Sequence, residues 1–313
     1  MKKSLLALVL ALLLLLTGCG KSAGAAQDAF SIACTTYPVY LLANTIAGDL
    51  DGVSVSLVID QQVSCLHDYT LTMKDMRAVE AADVIVSNGA GLEDFLDDVL
   101  EGRTVIDCAQ GVSLLYGGHH HDEEEAHHHD EETGHDHDSE EEDPHIWMDP
   151  RNYAQMARTL ARSLAQLDPE RAEEYSSRGE ACAQELEDFY DTLTESDQCR
   201  DLAGQSIITF HDGFSYFAQA FSLTIAAAIE EEEGSEASAR ELKETISIVG
   251  AQSLPAVFTE VNGSDKAAYT ISRECGVTVH PLSMVMSGQQ GDTIDAYEQA
   301  IAENIQTIWE AYR

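Results

Sequence analysis

The stretch from Asp168 to Leu193 reads DPERAEEYSSRGEACAQELEDFYDTL. Apolar or small residues recur in it at intervals of three and four, at positions 172, 175, 179, 182, 186, 189 and 193. This spacing predicts one apolar face on a helix of about 25 residues, which would be about 37 Å long. Asp168 and Pro169 predict its start, as a capping carboxylate followed by proline at the first helical position. A helix of this length would act as a stiff spacer between two parts of the protein, although the periodicity also fits an ordinary surface helix.

Apolar, β-rich runs alternate with helical patterns on both sides of this stretch. The predicted strands lie at 30–37, 53–59, 83–87 and 104–107 before it, and at 206–210, 223–229, 256–260 and 277–280 after it. Alternation of this kind indicates parallel sheets covered by helices. We therefore predict an α/β fold of two parallel-sheet α/β lobes, at residues 30–167 and 198–313. A long rigid helix at residues 168–197 joins them, and a ligand site lies in the cleft between the lobes.

The charge of the chain excludes some partners. Its 313 residues contain 17 Lys and Arg against 56 Asp and Glu, a formal net charge of −39. Such a field repels nucleic acid and anionic membrane surfaces, whereas it concentrates cations near the protein. We expect no nucleic-acid partner, and metal ions are natural ligands.

The N-terminus is typical of an exported protein. Lys2 and Lys3 precede a short apolar run, which predicts a signal peptide at residues 1–18. The sequence Leu-Thr-Gly-Cys that ends at Cys19 resembles the lipobox of bacterial lipoproteins, which implies cleavage before Cys19 and lipidation of its thiol. Residues 19–29 would then form a tether. We expect the mature protein on the extracytoplasmic face of the cell membrane, held by this lipid anchor.

The other cysteines give no motif. The six that remain contain no Cys-x-x-Cys pair, which argues against a thioredoxin-type site or a zinc ribbon. An even number outside the cytoplasm permits disulfides, and buried free thiols are an equal alternative.

A segment of abnormal composition runs from His119 to Asp143, and we call it the insert. Its 25 residues include thirteen acids and eight histidines. It has no apolar face, so we expect it to be disordered without a ligand. One interpretation is a solvated acidic loop without a binding function. Several imidazoles together instead favour capture of zinc, copper or nickel at weak, interchangeable sites. The histidines of this secondary metal loop are His119, His120, His121, His127, His128, His129, His135 and His137.

The remaining histidines occur singly: His67, His145, His211 and His280. A lone histidine is more often structural than a ligand. However, His211 directly follows a predicted strand, His280 ends another, and His67 lies in the loop after a third. Ligands of open α/β sheets bind beyond the carboxyl ends of the strands. Two facing lobes could thus bring two histidines each to one cleft, a tetrahedral set that zinc accepts.

Four segments resemble the successive signatures of the zinc/manganese substrate-binding lipoproteins of bacterial ABC importers, with the zinc-importing, ZnuA-like branch nearest. They are His67–Tyr69, Pro144–Pro150, Phe210–Phe217 and Phe258–Glu260. The similarity extends from about Phe30 to the C-terminus. It implies two α/β lobes joined by a rigid helix with the metal between them, and a monomer that delivers zinc to an ABC transporter membrane permease.

The resemblance also implies a ligand set. It places family metal ligands on His67, His145 and His211, and the third of these points to zinc because manganese-binding relatives commonly carry glutamate there. The fourth position departs from the family pattern, since His280 stands where an aspartate is usual. Either His280 completes a four-histidine site, which we favour, or water or a nearby carboxylate such as Glu260 takes the place.

Other functions compete with zinc capture. The sequence contains neither a His-Glu-x-x-His helix nor a Gly-x-Ser-x-Gly elbow, so a surface zinc-dependent hydrolase is the weaker alternative and we expect no catalytic residues. A manganese or iron carrier of the same transporter class is a stronger rival than a nickel or copper scavenger. No feature requires an adhesin-like role in cell adhesion.

Overall fold

Four parallel strands form the sheet of the first lobe in the computed structural model, which describes residues 29–61, 66, 69–117, 141–230 and 237–313. These strands are β1 (Phe30–Cys34), β2 (Val53–Leu57), β3 (Val84–Ser87) and β4 (Val105–Asp107). They lie in the order β2-β1-β3-β4. The fully buried β3 is flanked by strands on both sides, as its uninterrupted apolar sequence requires. The predicted parallel sheet is confirmed.

Helices connect these strands: α1 (Tyr37–Ala47), α2 (Met73–Ala81) and α3 (Asp97–Leu100). The segment between β3 and β4 becomes α-helical only at Asp97, after a 3₁₀ turn at Asp94–Leu96. The reason lies in Glu93, whose carboxylate accepts hydrogen bonds from the backbone N–H groups of Asn88 and Gly89. This holds the residues after β3 in a turn.

Two packed helices follow a small β-ladder. The ladder pairs β5 (Tyr116–Gly117) with β6 (Glu141–Glu142) antiparallel, and a 3₁₀ turn at Ile146–Met148 leads to α4 (Pro150–Leu167) and α5 (Ala172–Thr194). Asp149 caps α4, because its side chain accepts from the N–H of Arg151 at 2.8 Å.

The start of α5 differs from the prediction. A 3₁₀ turn at Pro169–Arg171 precedes the helix, and the Asp168 side chain makes no capping bond. Its carboxylate instead accepts from the side chains of Arg171 and Tyr175. The 23 residues of α5 span about 34 Å at 1.5 Å per residue. The long linking helix is confirmed.

The second lobe repeats the architecture of the first. The short α6 (Asp197–Leu202) leads into a second parallel sheet in the order β10-β9-β7-β8. Its strands are β7 (Ser206–His211), β8 (Thr224–Glu230), β9 (Ala256–Glu260) and β10 (Thr278–Leu282). Its helices are α7 (Ser215–Ala220), α8 (Ala239–Gln252), α9 (Lys266–Cys275) and α10 (Ile294–Ala311). The prediction of two α/β lobes is confirmed.

One apolar core runs through both lobes and the linking helix, from Ile32 in β1 to Ile308 in α10. The helix α5 packs along α4 and also contacts α1 and α10. A β-carbon added at Gly179 of α5 would collide with that of Ala161 in α4, so the glycine permits the close approach of these two helices. The linking helix therefore packs one face against its neighbours, and its opposite face is exposed.

Hydrogen bonds tie α1 directly to the segment that opens α10. The Tyr37 hydroxyl donates to the Asp292 carboxylate at 2.6 Å, and the Asn44 side chain donates to the Asp292 carbonyl at 2.8 Å. The Gly291 N–H donates to the Tyr40 hydroxyl at 2.8 Å. These bonds fix the two lobes relative to each other at a point away from the linking helix.

The described cysteines are free thiols: Cys34, Cys108, Cys182, Cys199 and Cys275. All but Cys275 are buried, and burial raises the pKa of the Cys34 thiol far above its usual range. Of the two interpretations of the cysteines, free thiols therefore hold for these five, while Cys65 lies outside the described residues. Within the described ranges, no helix is both long and apolar enough to span a bilayer.

Candidate metal site

His145 stands in a buried turn between β6 and α4, where its ring is held by its own chain. The Asp143 carboxylate accepts two hydrogen bonds through Oδ1, from the His145 N–H at 2.9 Å and from the ring Nδ1 at 2.8 Å. An ionised carboxylate accepts only, so Nδ1 carries a hydrogen, and in the neutral imidazole Nε2 then presents a lone pair. Since metal ligation requires such a lone pair, the turn prepares His145 to bind an ion.

His211 is the last residue of β7 and faces His145 across the boundary between the lobes. The Nε2 atoms of the two rings lie 3.1 Å apart, and the rings are nearly perpendicular, at 84°. Two nitrogens bound to one tetrahedral zinc at 2.0 to 2.1 Å would stand about 3.3 Å apart. The two rings therefore already have the separation that a shared ion requires.

Glu260 brings a carboxylate to the same edge of the sheet. It ends β9, which pairs with β7 so that Phe258 is level with Thr209. Two residues further along each strand, His211 and Glu260 come side by side, with 3.9 Å between Nδ1 of His211 and Oε1 of Glu260. Glu260 is 8% exposed. A carboxylate here can ligate an ion, or can accept from the ring and orient it.

Tight packing excludes bulk water from the two rings. A β-carbon added at Gly213 would collide with the Met284 methyl group and would lie 2.7 Å from Cδ2 of His211 and 3.0 Å from Cδ2 of His145. The fully buried Trp147 donates through its indole N–H to the Met284 carbonyl at 2.8 Å. Residues from both lobes thus close around the site, and sequence reasoning had not singled out Gly213 or Met284.

His280 does not join the pair. The sequence placed it at the end of a strand, but β10 continues to Leu282, and it is Leu282 that is level with Glu260. His280 lies two residues earlier, beside Phe258, and its ring Nε2 is 2.9 Å from the Thr278 hydroxyl. Of the two alternatives for the fourth position, this geometry favours the carboxylate of Glu260.

Several predicted site residues lie outside the described residues. They are the lipidation residue Cys19, the ligand His67 and the insert histidines His119, His120, His121, His127, His128, His129, His135 and His137. Of the predicted ligands that the structure describes, His145 and His211 lie together with Glu260 beside them, and His280 lies apart.

Most of the chain matches a known family of proteins. Residues 32–311 match the family described as ZnuA, zinc-uptake complex component A, periplasmic. The chain belongs to this family. The fold is also similar to that of a solved structure: FpvC from Pseudomonas aeruginosa in complex with Ni²⁺ is 25% identical, with a TM-score of 0.73, and the match covers 90% of this chain and 96% of that one.

Curated relatives in the ZnuA family are named for different metals. The manganese-binding lipoprotein MntA of Halalkalibacterium halodurans is 24% identical over 96% of this chain and 95% of its own length. The zinc-binding lipoprotein AdcA of Streptococcus pneumoniae is 28% identical over 94% of this chain. This chain spans only 57% of the length of AdcA. Membership of the ZnuA family therefore indicates that the ligand is a transition-metal ion. The names of the relatives include both manganese and zinc.

Proposed function

We propose that the protein captures Zn²⁺ between its two lobes on the extracytoplasmic side of the membrane and delivers it to the permease of an ABC importer. As a ZnuA-family protein, it is a metal-binding, solute-binding component of such a transporter and belongs to a family of transport proteins, not of enzymes. The observation that carries the choice of metal is the buried pair of imidazoles, whose Nε2 atoms lie 3.1 Å apart. Nitrogen ligands suit zinc better than they suit manganese.

The proposed ligands are His67, His145 and His211, with Glu260 as the fourth. His145 and His211 are supported by their separation and burial, and Glu260 by its place beside His211 at the strand ends. His67 rests on the sequence motif alone. His280 remains the alternative to Glu260 and would have to leave its hydrogen bond to Thr278 to reach the ion.

Manganese is the second candidate, because a carboxylate oxygen in the ligand set is a donor that manganese accepts. A relative named for manganese also matches nearly the whole chain. The order of affinities does not separate the two candidates, because a site of nitrogen and oxygen ligands generally binds Zn²⁺ more tightly than Mn²⁺. The metal content of cells does. Deletion of the gene should lower cellular zinc in zinc-depleted medium and leave manganese unchanged, and a loss of manganese alone would favour the second candidate.

Alanine substitutions distinguish the proposed metal ligands from nearby histidines that do not bind the ion. We expect His145→Ala and His211→Ala each to remove the tightest zinc-binding event, because the remaining imidazole cannot hold the ion in a closed site. His280→Ala is the matched control and should retain tight binding with one ion per chain. Isothermal titration calorimetry with a competing chelator measures all three. Retention of tight binding by both of the first two variants would contradict the site, and its loss in the control would reinstate His280.

Attachment to the membrane through a lipid on Cys19 is a further part of the proposal, motivated by the Leu-Thr-Gly-Cys sequence that ends there. Cells fed radiolabelled palmitate should label the wild-type protein, whereas Cys19→Ala should be unlabelled and released from the membrane. A labelled Cys19→Ala protein would refute the assignment of this cysteine.

A further inference from the structure

Asp143 is the last residue of the insert, and it begins the turn that carries His145. Its side chain is buried, and a single oxygen, Oδ1, accepts from both the backbone N–H and the ring Nδ1 of His145. The two bonds, at 2.9 and 2.8 Å, fix both the backbone and the imidazole of His145 relative to one atom. With only one of the two, the ring could still rotate about its side-chain bonds.

Tyr216 of the second lobe holds Asp143 from the other side. This buried residue of α7 accepts from the Leu115 N–H at 2.8 Å and donates to the Asp143 carbonyl at 3.1 Å. The Asp143 N–H donates in turn to the Leu115 carbonyl at 2.9 Å. One hydroxyl thus joins the two chain segments next to the β5–β6 ladder, and it comes from the lobe that also carries His211.

The geometry points to Asp143 as the positioning residue of the metal site: it selects the Nδ1–H tautomer of His145 and aims Nε2 at His211, while Tyr216 holds Asp143 in register with the second lobe. This inference rests on the proposed function, in which His145 binds the ion through Nε2. Partners that accept the second ring N–H of a ligating histidine commonly contribute about 10- to 100-fold to metal affinity. Asp143 itself would not touch the metal.

The test begins with the metal-free protein. In wild type, the ¹⁵N chemical shifts of His145 should show the hydrogen on Nδ1 and none on Nε2, and a spectrum with the hydrogen on Nε2 would overturn the inference without any variant. In Asp143→Ala, the ring should become a mixture of tautomers. A tautomer unchanged in this variant would also refute the assignment, because a purely structural carboxylate has no effect on the ring.

Zinc affinity provides the second readout. We expect Asp143→Ala to weaken Zn²⁺ binding by about 10- to 100-fold. Asp143→Asn keeps an oxygen that accepts both bonds, so it should retain the Nδ1–H tautomer and lose less than about 10-fold. Equal losses in the two variants would mean that the negative charge matters and the positioning does not. Unchanged affinity in Asp143→Ala would overturn the inference outright.

Tyr216→Phe tests the link between the lobes. The phenylalanine preserves the packing of the ring but removes the bonds to Leu115 and Asp143, so Zn²⁺ affinity should fall by about 3- to 10-fold, less than in Asp143→Ala. An affinity equal to wild type would remove Tyr216 from the proposal. Failure of the proposed function is distinguishable from these outcomes: His211→Ala would then bind Zn²⁺ as wild type does, while the tautomer of His145 in metal-free protein would still report on Asp143.

Discussion

At the scale of single residues, the site depends on a glycine, which has no side chain, at position 213. Gly213 leaves just enough room for the rings of His145 and His211 to approach, and the Met284 methyl group fills what remains. His145 and His211 could be identified from their motifs, whereas this steric requirement could not, because it arises only when segments far apart in sequence are packed together. The same is true of Asp143, although its spacing of two residues before His145 is a signal that could have been used.

We expect Gly213→Ala to lower both stability and metal binding. The added methyl group forces at least one of three neighbours to move, and overpacking of this kind costs about 1 to 3 kcal/mol. Thermal unfolding and zinc titration measure the two effects. Gly250→Ala in α8 is the matched control, since its β-carbon would meet no atom within 4 Å and the change should be neutral or slightly stabilising. A Gly213→Ala protein with wild-type stability and affinity would show that the site is looser than described.

At the scale of elements, α5 and α10 meet at a cluster of acids that the function does not use. Glu185, Asp295 and Glu298 lie within reach of one another, and burial, followed by repulsion from the other two, raises the pKa of Glu298 to about 7. The folded state therefore holds a proton on Glu298 more tightly than the unfolded chain does. This cluster makes the contact between the two helices weaker at neutral pH than in mild acid.

The pH dependence of stability tests this interpretation. Below about pH 4.5 Glu298 is protonated in both states and contributes nothing; as the pH rises towards 7 the unfolded chain loses the proton first, and wild-type stability falls. We expect Glu298→Gln to be more stable than wild type by about 1 kcal/mol at pH 8, a value reduced for partial exposure, and equal to it near pH 4.5. Urea unfolding at both pH values measures the difference, with Glu303→Gln on the exposed face of α10 as control. A gain of the same size at both pH values would contradict the explanation.

The elements themselves were largely predictable, and their ends were not. Alternating runs of apolar residues located the strands β1 to β4 and β7 to β10, because strands buried inside a parallel sheet leave a strong local pattern. The end of β10 was misplaced by two residues, since the continuation through Pro281 depends on pairing with β9 and not on local sequence. Because of this error, the sequence places His280 at the edge of the sheet and offers Glu260 only as an alternative ligand.

At the scale of the whole molecule, the insert is connected directly to the metal site. Gly117 and Glu141, which flank residues 118–140 in the sequence, are paired in the ladder of β5 and β6, and Asp143 directly follows β6. We propose that the insert histidines bind additional ions weakly and supply them to the cleft, because a tether that short keeps an ion at an effective concentration of about millimolar. Residues beyond the ladder should therefore be dispensable for tight binding, while Asp143 should not.

Replacement of residues 118–140 by an Asn-Gly turn tests this directly, since Gly117 and Glu141 are paired and two residues can join them. We expect the tightest zinc affinity to stay nearly unchanged, the total number of bound ions to fall, and uptake to slow only in zinc-depleted medium. Calorimetry and growth under chelation measure these outcomes. A deletion of 119–143 is the informative comparison, because it also removes Asp143 and should weaken tight binding. A large loss of tight affinity in the first variant would mean that the insert supplies a primary ligand.

The bonds from Tyr37, Asn44 and Tyr40 to the segment that opens α10 have a consequence for recognition. Together with the packing of α5 against α1 and α10, they leave the lobes little freedom to move apart when an ion binds or dissociates. A permease would then meet nearly the same molecular surface on the metal-bound and the metal-free protein. Discrimination would then have to come from the short segments that an ion would bridge, namely the turn of His145 and the end of β7. The permease would recognise the local rigidity of these segments and not the overall shape of the protein.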